Sequence, residues 1–392
     1  MALSILEAFT VISITQLSMV VYSRILPENP FLEFLLFSVP QYLVFRYLKY
    51  AYLIYTVLFM ALLVFPKKRQ HAYSKHTCPI DRLRMLIISL VSLAIYSANF
   101  KFYDSDRYGK SMEYGLLLMD IGVGSFVYNA GLVSCKMSTR KKLINALKCL
   151  VFGAGRQMSI ILMGLSVKDA EFGHHLNFFY ILAILNLISI FVRLEKNQAF
   201  FGCLLIFFHQ ILLQTFLEDM IFNNQRENMI MMNLEGISYI IPEFGIYLIS
   251  QEIGKIFIER KNLNRIVKYN IGFIVIFAVS VFKFEISRRI HNIPFSLFVI
   301  ILNTSQLIAC EYLNNEHQLG FFRIAHFASK NMLFMLLFSN LLIPISKSLG
   351  IFEADNLIEI GLKTLGYLFI VYFVPYMVNR TYRKSTKSAS VK

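Results

Sequence analysis

"YGKSMEYGLLLMDIGVGSFVYNAGLVS", residues 108–134, puts Asp120 in the middle of an otherwise apolar run, and Gly122 and Gly124 follow within four positions. A run of this length and apolarity reads as a membrane-spanning helix. The rest of the chain agrees, because 56% hydrophobic and only 16% charged residues over 392 positions is too apolar for a soluble globular protein. A charge within a span costs roughly 2.5–3.5 kcal/mol on insertion scales, so such a side chain faces protein or a water-filled cavity. The stretch therefore implies an all-α, polytopic membrane protein and raises the question of what Asp120 is for.

Thirteen apolar runs can be marked, near 8–25, 31–45, 47–65, 84–101, 114–134, 146–164, 175–194, 200–218, 237–254, 268–284, 294–313, 331–350 and 358–379. The second is short and carries Pro40, so it is expected to be re-entrant or broken. The first has no basic segment before it and no small-residue cleavage site, and reads as a retained span. No internal repeat and no long linker divides the chain, so residues 1–392 are expected to form one integral domain ending in a basic tail, 380–392. The net charge of +15 sits in short clusters between apolar runs, without the aromatic interleaving of a nucleic-acid surface. Five cysteines show no CxxC, no His/Cys metal spacing and no paired framework, so neither a metal nor disulfides are expected.

The loops "PKKRQHAYSKHTCPIDR" (66–82), "CKMSTRKK" (135–142), "KIFIERKNLNRIVK" (255–268) and the tail "RTYRKSTKSASVK" (380–392) are basic and fall on one side if every run crosses. That side is expected to be cytoplasmic, which places the N-terminus outside the cytoplasm and the C-terminus in it. Glycosylation of the "NRT" at 379–381 would invert this orientation. The unusual polar residues gather on the other side, in "FYDSDRYGK" (102–110), Asp120, "EFGHHLNFF" (171–179), "NLEGI" (233–237) and "SRRIHNIP" (287–294).

Each has an ordinary explanation beside the functional one. Asp120 lies six residues into its expected span, about 9 Å below the start, where it either pairs with a neighbouring helix or belongs to a site. The glycines beside it suit close helix packing. Arg107 and Lys110 either snorkel at the interface or grip an anionic headgroup. His174 and His175 are either solvated or an acid/base near neutral pH. Arg288 and Arg289 stand on the side where topology disfavours basic residues, which favours phosphate binding. No Ser/His/Asp elbow, Walker loop, HExxH or DxD motif is present.

Taken in order, these blocks resemble the glycosylphosphatidylinositol (GPI) inositol-acyltransferase family. "RYGK" with "MDIGVGSFV" is similar to R-F-A-K and M-D-x-G-V-G-S-F-V, "EFGHHLNFF" to E-Y-G-x-H-x-N-F-F, "NLEGI" to N-R-E-G-I, and "SRRIHNIPF" to S-R-R-x-x-N-x-P-Y. The likeness spans 107–295 and rests on five blocks in the family's order. Three departures stand out: Leu234 replaces the arginine of N-R-E-G-I, Leu176 replaces the aromatic after the histidine, and "NLLIPISK" (340–347) replaces a glycine-containing block. The resemblance implies a multi-pass enzyme of the endoplasmic reticulum, in which the orientation expected from the basic loops makes the N-terminus lumenal and the C-terminus cytoplasmic. It would move a fatty acyl group, typically palmitoyl, from acyl-CoA to the inositol of glucosaminyl-phosphatidylinositol. No bound cofactor and no obligate protein partner are expected.

Acyl transfer from a thioester to an alcohol needs a base, charge or donors for the oxyanion, and shelter from water. By the resemblance, Asp120 and Lys110 lead as catalytic residues, Asp120 taking or orienting the hydroxyl proton and Lys110 opposing the developing charge, with His175 the alternative base. Arg107, Arg288 and Arg289 are assigned to phosphate, and Asn177, Asn233, Glu235 and Asn292 to sugar hydroxyls or support. The competing explanations are a transporter or flippase for an anionic lipid or solute, which would use the same charges in a cavity between helices, and a membrane assembly factor without activity.

Overall fold

The computed structural model describes residues 5–25, 29–65, 78–101, 109–163, 171–223, 225–260, 262–317, 319–353 and 356–389. The protein is all-α: the described residues hold no strand, and one isolated bridge joins Gly115 to Ser287. Packing divides the chain into two compact units, Leu3–Gly109 with Gln306–Lys392, and Lys110–Ser305.

The first unit opens with α1 (Ile5–Ile25), α2 (Pro30–Arg46), α3 (Ala51–Val64) and α4 (Pro79–Ser97). Asn29 starts α2, its side chain accepting from the N–H groups of Phe31 and Leu32, with Pro30 at the first helical position. The helix runs unbroken through Pro40; the break falls at Tyr47, where the pair Pro30–Arg46 and Leu48–Val64 bends by 113°. The unit is completed, after the second unit, by α12 (Arg323–Lys330), α13 (Met332–Ser348) and α14 (Leu357–Ala389). Two buried carboxylates fasten α12. Glu33 of α2 accepts from the backbone N–H groups of Arg323, Ile324 and Ala325 at its start, and Asp81 of α4 meets His326 at 2.9 Å and Lys330 at 3.5 Å. The expected tail from residue 380 continues α14 as helix to Ala389.

The second unit holds α5 (Ile121–Ser134), α6 (Thr139–Met163), α7 (Phe178–Phe191), α8 (Gln198–Phe222, with a π turn at Leu213–Leu217), α9 (Leu234–Lys255), α10 (Leu263–Lys283) and the start of α11 (Ile293–His317). At its centre is α9, buried on nearly every face and packed against α5, α7 and α8. Its approach to α8 is a backbone contact. A Cβ on Gly202 would stand 2.6 Å from the Gly245 carbonyl oxygen, and one on Gly245 would stand 2.7 Å from that of Gly202. Gly124 likewise brings α5 onto Val299 of α11, the packing role that "GVGS" suggested.

All thirteen apolar runs contain helix, and among the described residues five helices are long and apolar enough to cross a membrane, or up to seven if each bent pair is one span. The shortfall has local causes. Three charges, Asp81, Arg82 and Arg84, sit near the start of α4, and the 14 residues of α7 reach only about 21 Å of the roughly 30 Å hydrocarbon thickness. The run 114–134 becomes α-helical only at Ile121, after one 3-10 turn at Leu118–Asp120, so Asp120 sits at the mouth of α5 and not six residues inside it. Residues before it are held away from helix by the Gly115 N–H, which donates to Ile286 O at 2.7 Å.

The close approach of α8 and α9 makes a prediction. Gly245→Val should destabilise the protein by about 1–3 kcal/mol, whereas Gly272→Ala on α10, with nothing within 4 Å of its added Cβ, should not. Thermal unfolding of both variants in detergent is the check.

Candidate active site

Four of the sequence blocks meet within the second unit, laced by backbone hydrogen bonds before any side-chain chemistry is counted. Residues 109–120 fold back along the turn that precedes α11. Gly115, at φ 101°, donates to Ile286 O; Ser287 Oγ donates to Glu113 O; the Arg288 and Arg289 guanidinium groups donate to Ser111 O and Met112 O at 3.4 and 3.3 Å. In the same way residues 171–176 lie on the start of α9, where the His174 N–H donates to Met232 O at 2.8 Å. Gly173, at φ 89°, makes that approach possible, since a Cβ there would come within 2.5 Å of Asn233 Cα and Met232 O.

Three ion-paired carboxylates tie these segments together. Asp120 is fully buried; Oδ2 accepts from the N–H groups of Leu117 at 2.8 Å and Ser111 at 3.2 Å, and Oδ1 stands 2.8 Å from Arg288 Nε, out of line for a good hydrogen bond. Lys110 does not pair with Asp120. Its Nζ is 2.5 Å from Glu171 Oε1, although Asp120 and Arg288 lie close enough to act on its charge. Glu235, also fully buried, takes Arg226 at 2.7 Å and Arg289 at 3.7 Å. Arg289 stacks its guanidinium over Phe222, 5.1 Å from the ring centroid.

The electrostatics favour the ionised pair at Lys110. Burial pulls the Lys110 ammonium below its ordinary value, with Glu171 opposing that pull. For Glu171, burial pushes upward, but Lys110, with Arg288 and Arg156 behind it, outweighs burial and holds the carboxyl below the usual range. Lys110 keeps 24% of its side chain exposed, so its ammonium can be approached, whereas the Asp120 carboxylate is closed off by its partners.

The asparagines of the motifs are occupied by the fold. Asn177 caps α7, accepting from Phe179 and Tyr180 N–H, and donates to Gly153 O. Asn233 accepts from the N–H groups of His175 and Leu176 and donates to Met229 O. Asn292 closes the Arg288 turn through Ser287, Phe295 and Glu285. His175 is exposed, its ring 4.9 Å from that of His174. Arg107 lies outside the described residues.

Sequence reasoning missed Glu171, Arg156, Arg226 and Tyr239. Glu171 opens a block already singled out, so its charge was a usable signal. Arg226 sits outside every block, at φ 55°, and nothing local marks it. Tyr239 is buried and donates its hydroxyl to Arg289 O at 3.1 Å. Among the described residues, the cations Lys110, Arg156, Arg226, Arg288 and Arg289 are interleaved with the carboxylates Asp120, Glu171 and Glu235, and Glu113, Glu218 and Glu285 act on the adjacent Tyr114.

Comparison with known proteins agrees with the resemblance. The family model GWT1 matches residues 1–347. The chain is similar to "GPI-anchored wall transfer protein 1" of Gibberella zeae, 29% identical over 57% of this chain and 53% of the relative. It is similar to the protein of the same name from Kluyveromyces lactis, 30% identical over 58% and 55%. To "Phosphatidylinositol-glycan biosynthesis class W protein" of Dictyostelium discoideum it is 26% identical over 67% and 66%. The chain thus matches between about half and two thirds of the length of these relatives.

A cap and a ligand contact at Asn177 predict different outcomes. Asn177→Ala should cost about 1 kcal/mol of stability while Asn177→Ser, an uncharged cap of similar strength, restores part of it; melting temperatures of the two variants decide.

Proposed function

The chain belongs to the GWT1 family, and from that premise we propose that it is an acyl-CoA-dependent O-acyltransferase of the endoplasmic reticulum membrane. In this reading it moves a fatty acyl group, palmitoyl in the first instance, onto an inositol hydroxyl of glucosaminyl-phosphatidylinositol during GPI-anchor synthesis. The names of the relatives support the pathway. The observation that carries the chemistry is the partly exposed Lys110–Glu171 pair set beside the buried Asp120–Arg288 pair.

In the reaction the inositol oxygen attacks the thioester carbonyl. The carbonyl becomes an oxyanion, the C–S bond breaks, and the hydroxyl proton ends on the departing thiolate. Lys110 offers a positive charge to the oxyanion or to the phosphodiester. Both Asp120 oxygens are engaged, so its role is to orient Arg288 and the Ser111 backbone, and through them the alcohol, more than to carry the proton away. His175, exposed at the same loop, is the alternative base. Arg289 and Arg156 add to the field that draws in the phosphate, a role shared by Arg107 in this proposal. Burial among helices keeps water from competing for the acyl group.

In detergent with labelled acyl-CoA and glucosaminyl-phosphatidylinositol, Lys110→Ala and Asp120→Asn should each lower transfer by about 100-fold or more. Normal transfer by both would sink the assignment, and activity that needs sealed vesicles would point to a transporter instead. Because burial lowers the Lys110 ammonium below its usual 10.5, the alkaline limb of the rate should lie below that of a free lysine. Lys110→Arg, which stays charged, should remove that limb.

A further inference from the structure

Behind the Arg288 turn lies a cluster of titratable groups from three elements that the proposed reaction does not use. Glu243 of α9 is fully buried, and neither carboxyl oxygen has a hydrogen-bond partner. His291, at the end of the turn, is 1% exposed and its two ring nitrogens are likewise unpartnered; its Nδ1 stands 3.6 Å from Glu243 Oε1. His209 of α8 is 1% exposed, with Nε2 2.9 Å from Ile290 O and Nδ1 unpartnered. Buried polar atoms are nearly always satisfied, so five orphans in one place mark a site under constraint.

The position of His291 gives the constraint a direction. Its backbone N–H donates to Arg288 O at 3.0 Å, and its own φ is 50°, a strained backbone for a histidine. Its ring is held between Tyr239, 5.5 Å away, and Phe295, 4.8 Å away; the same Tyr239 donates to Arg289 O. The groups that face it are Glu243 and Tyr239 on α9, His209 on α8, Arg288 on its own turn, and the apolar Phe295 on α11. Whatever moves the His291 ring therefore moves the turn that sets Arg288 against Asp120.

We propose that Glu243 and His291 share a single proton and act as positioning residues for the Arg288 turn. The Glu243 hydroxyl donates to a neutral His291 nitrogen, so that one proton satisfies an oxygen and a nitrogen without placing net charge beside Arg288. Closing the 3.6 Å gap to hydrogen-bond length takes a shift of under about 1 Å. Burial, with His209 and Arg288 nearby, already holds the His291 imidazole well below 6.5, so the neutral form is the one the site keeps. The assignment rests on the acyltransferase reading only for its kinetic readout.

The test is a double-mutant cycle on the full chain with Glu243→Met, which cannot donate a hydrogen bond, and His291→Asn, since asparagine tolerates positive φ. Each single variant is expected to lower kcat about 10-fold with KM for acyl-CoA unchanged, and the double variant to fall no further. Losses that multiply to about 100-fold, or singles within twofold of wild type, would overturn the proposal. A second arm needs no activity. The unfolded chain protonates His291 below about 6.5 and the folded chain does not, so this group's contribution is lost as pH falls, while the proton kept by folded Glu243 acts in the opposite sense and is common to wild type and His291→Asn. Below about 6.5 the melting temperature of wild type should therefore drop relative to that of His291→Asn as pH falls, and a constant difference would overturn the proposal. If wild type shows no acyl transfer but that difference changes with pH, the acyltransferase reading fails and the pair stands.

Discussion

A carboxylate with no exposure to water must be neutralised where it lies, and Asp120 meets that demand with the Arg288 guanidinium and two backbone N–H groups. Removing one partner of such a pair leaves a buried charge uncompensated, at a cost of about 3–5 kcal/mol. The consequences spread outward. Arg288 can reach Asp120 only if the turn before α11 lies along residues 109–117, so Gly115 pairs with Ile286 and the span expected from residue 114 starts later. Ser111, bonded to Asp120, is the neighbour of Lys110, which is thereby brought to Glu171. One ion pair thus sets the register of two loops that are more than 160 residues apart in sequence.

Membrane class and helix content were legible because hydropathy is local: a segment's preference for lipid is a sum over its own residues. Asp120 was legible for the same reason, as a charge in the wrong solvent. The partner of Lys110 was not. Proximity in sequence pointed to Asp120, but the loop turns back at Gly115 and offers the ammonium to Glu171. An apolar run alone also does not fix the length of its helix, which is short in α7, or where the helix begins, which long-range pairing delays before α5.

The asparagines expose a general ambiguity in motif reading. Asn177, Asn233 and Asn292 have the functional groups that bind sugars, and the fold uses those same groups to end helices and close turns. A helix terminus inside a membrane protein has orphan N–H groups that no water will satisfy, so the demand for a cap is stronger there than at a soluble surface. Side-chain type cannot separate the two uses; only the partners can.

The departure at position 234 shows which part of a motif is physically required. The family pattern N-R-E-G-I places an arginine before the glutamate, and this chain has Leu234, which packs with Leu213, Leu217, Ile221 and Ile290. The glutamate is retained as Glu235, fully buried, and its charge still has to be met. Arg226 meets it from nine positions earlier in sequence, with Nη2 at 2.7 Å and Nη1 at 3.4 Å from the two carboxyl oxygens, and Arg289 stands at 3.7 Å. A planar guanidinium facing a carboxylate can come from any backbone position that delivers the geometry. In this chain the buried carboxylate at the mouth of α9 is therefore neutralised from outside its own motif, while the position before it is given to apolar packing.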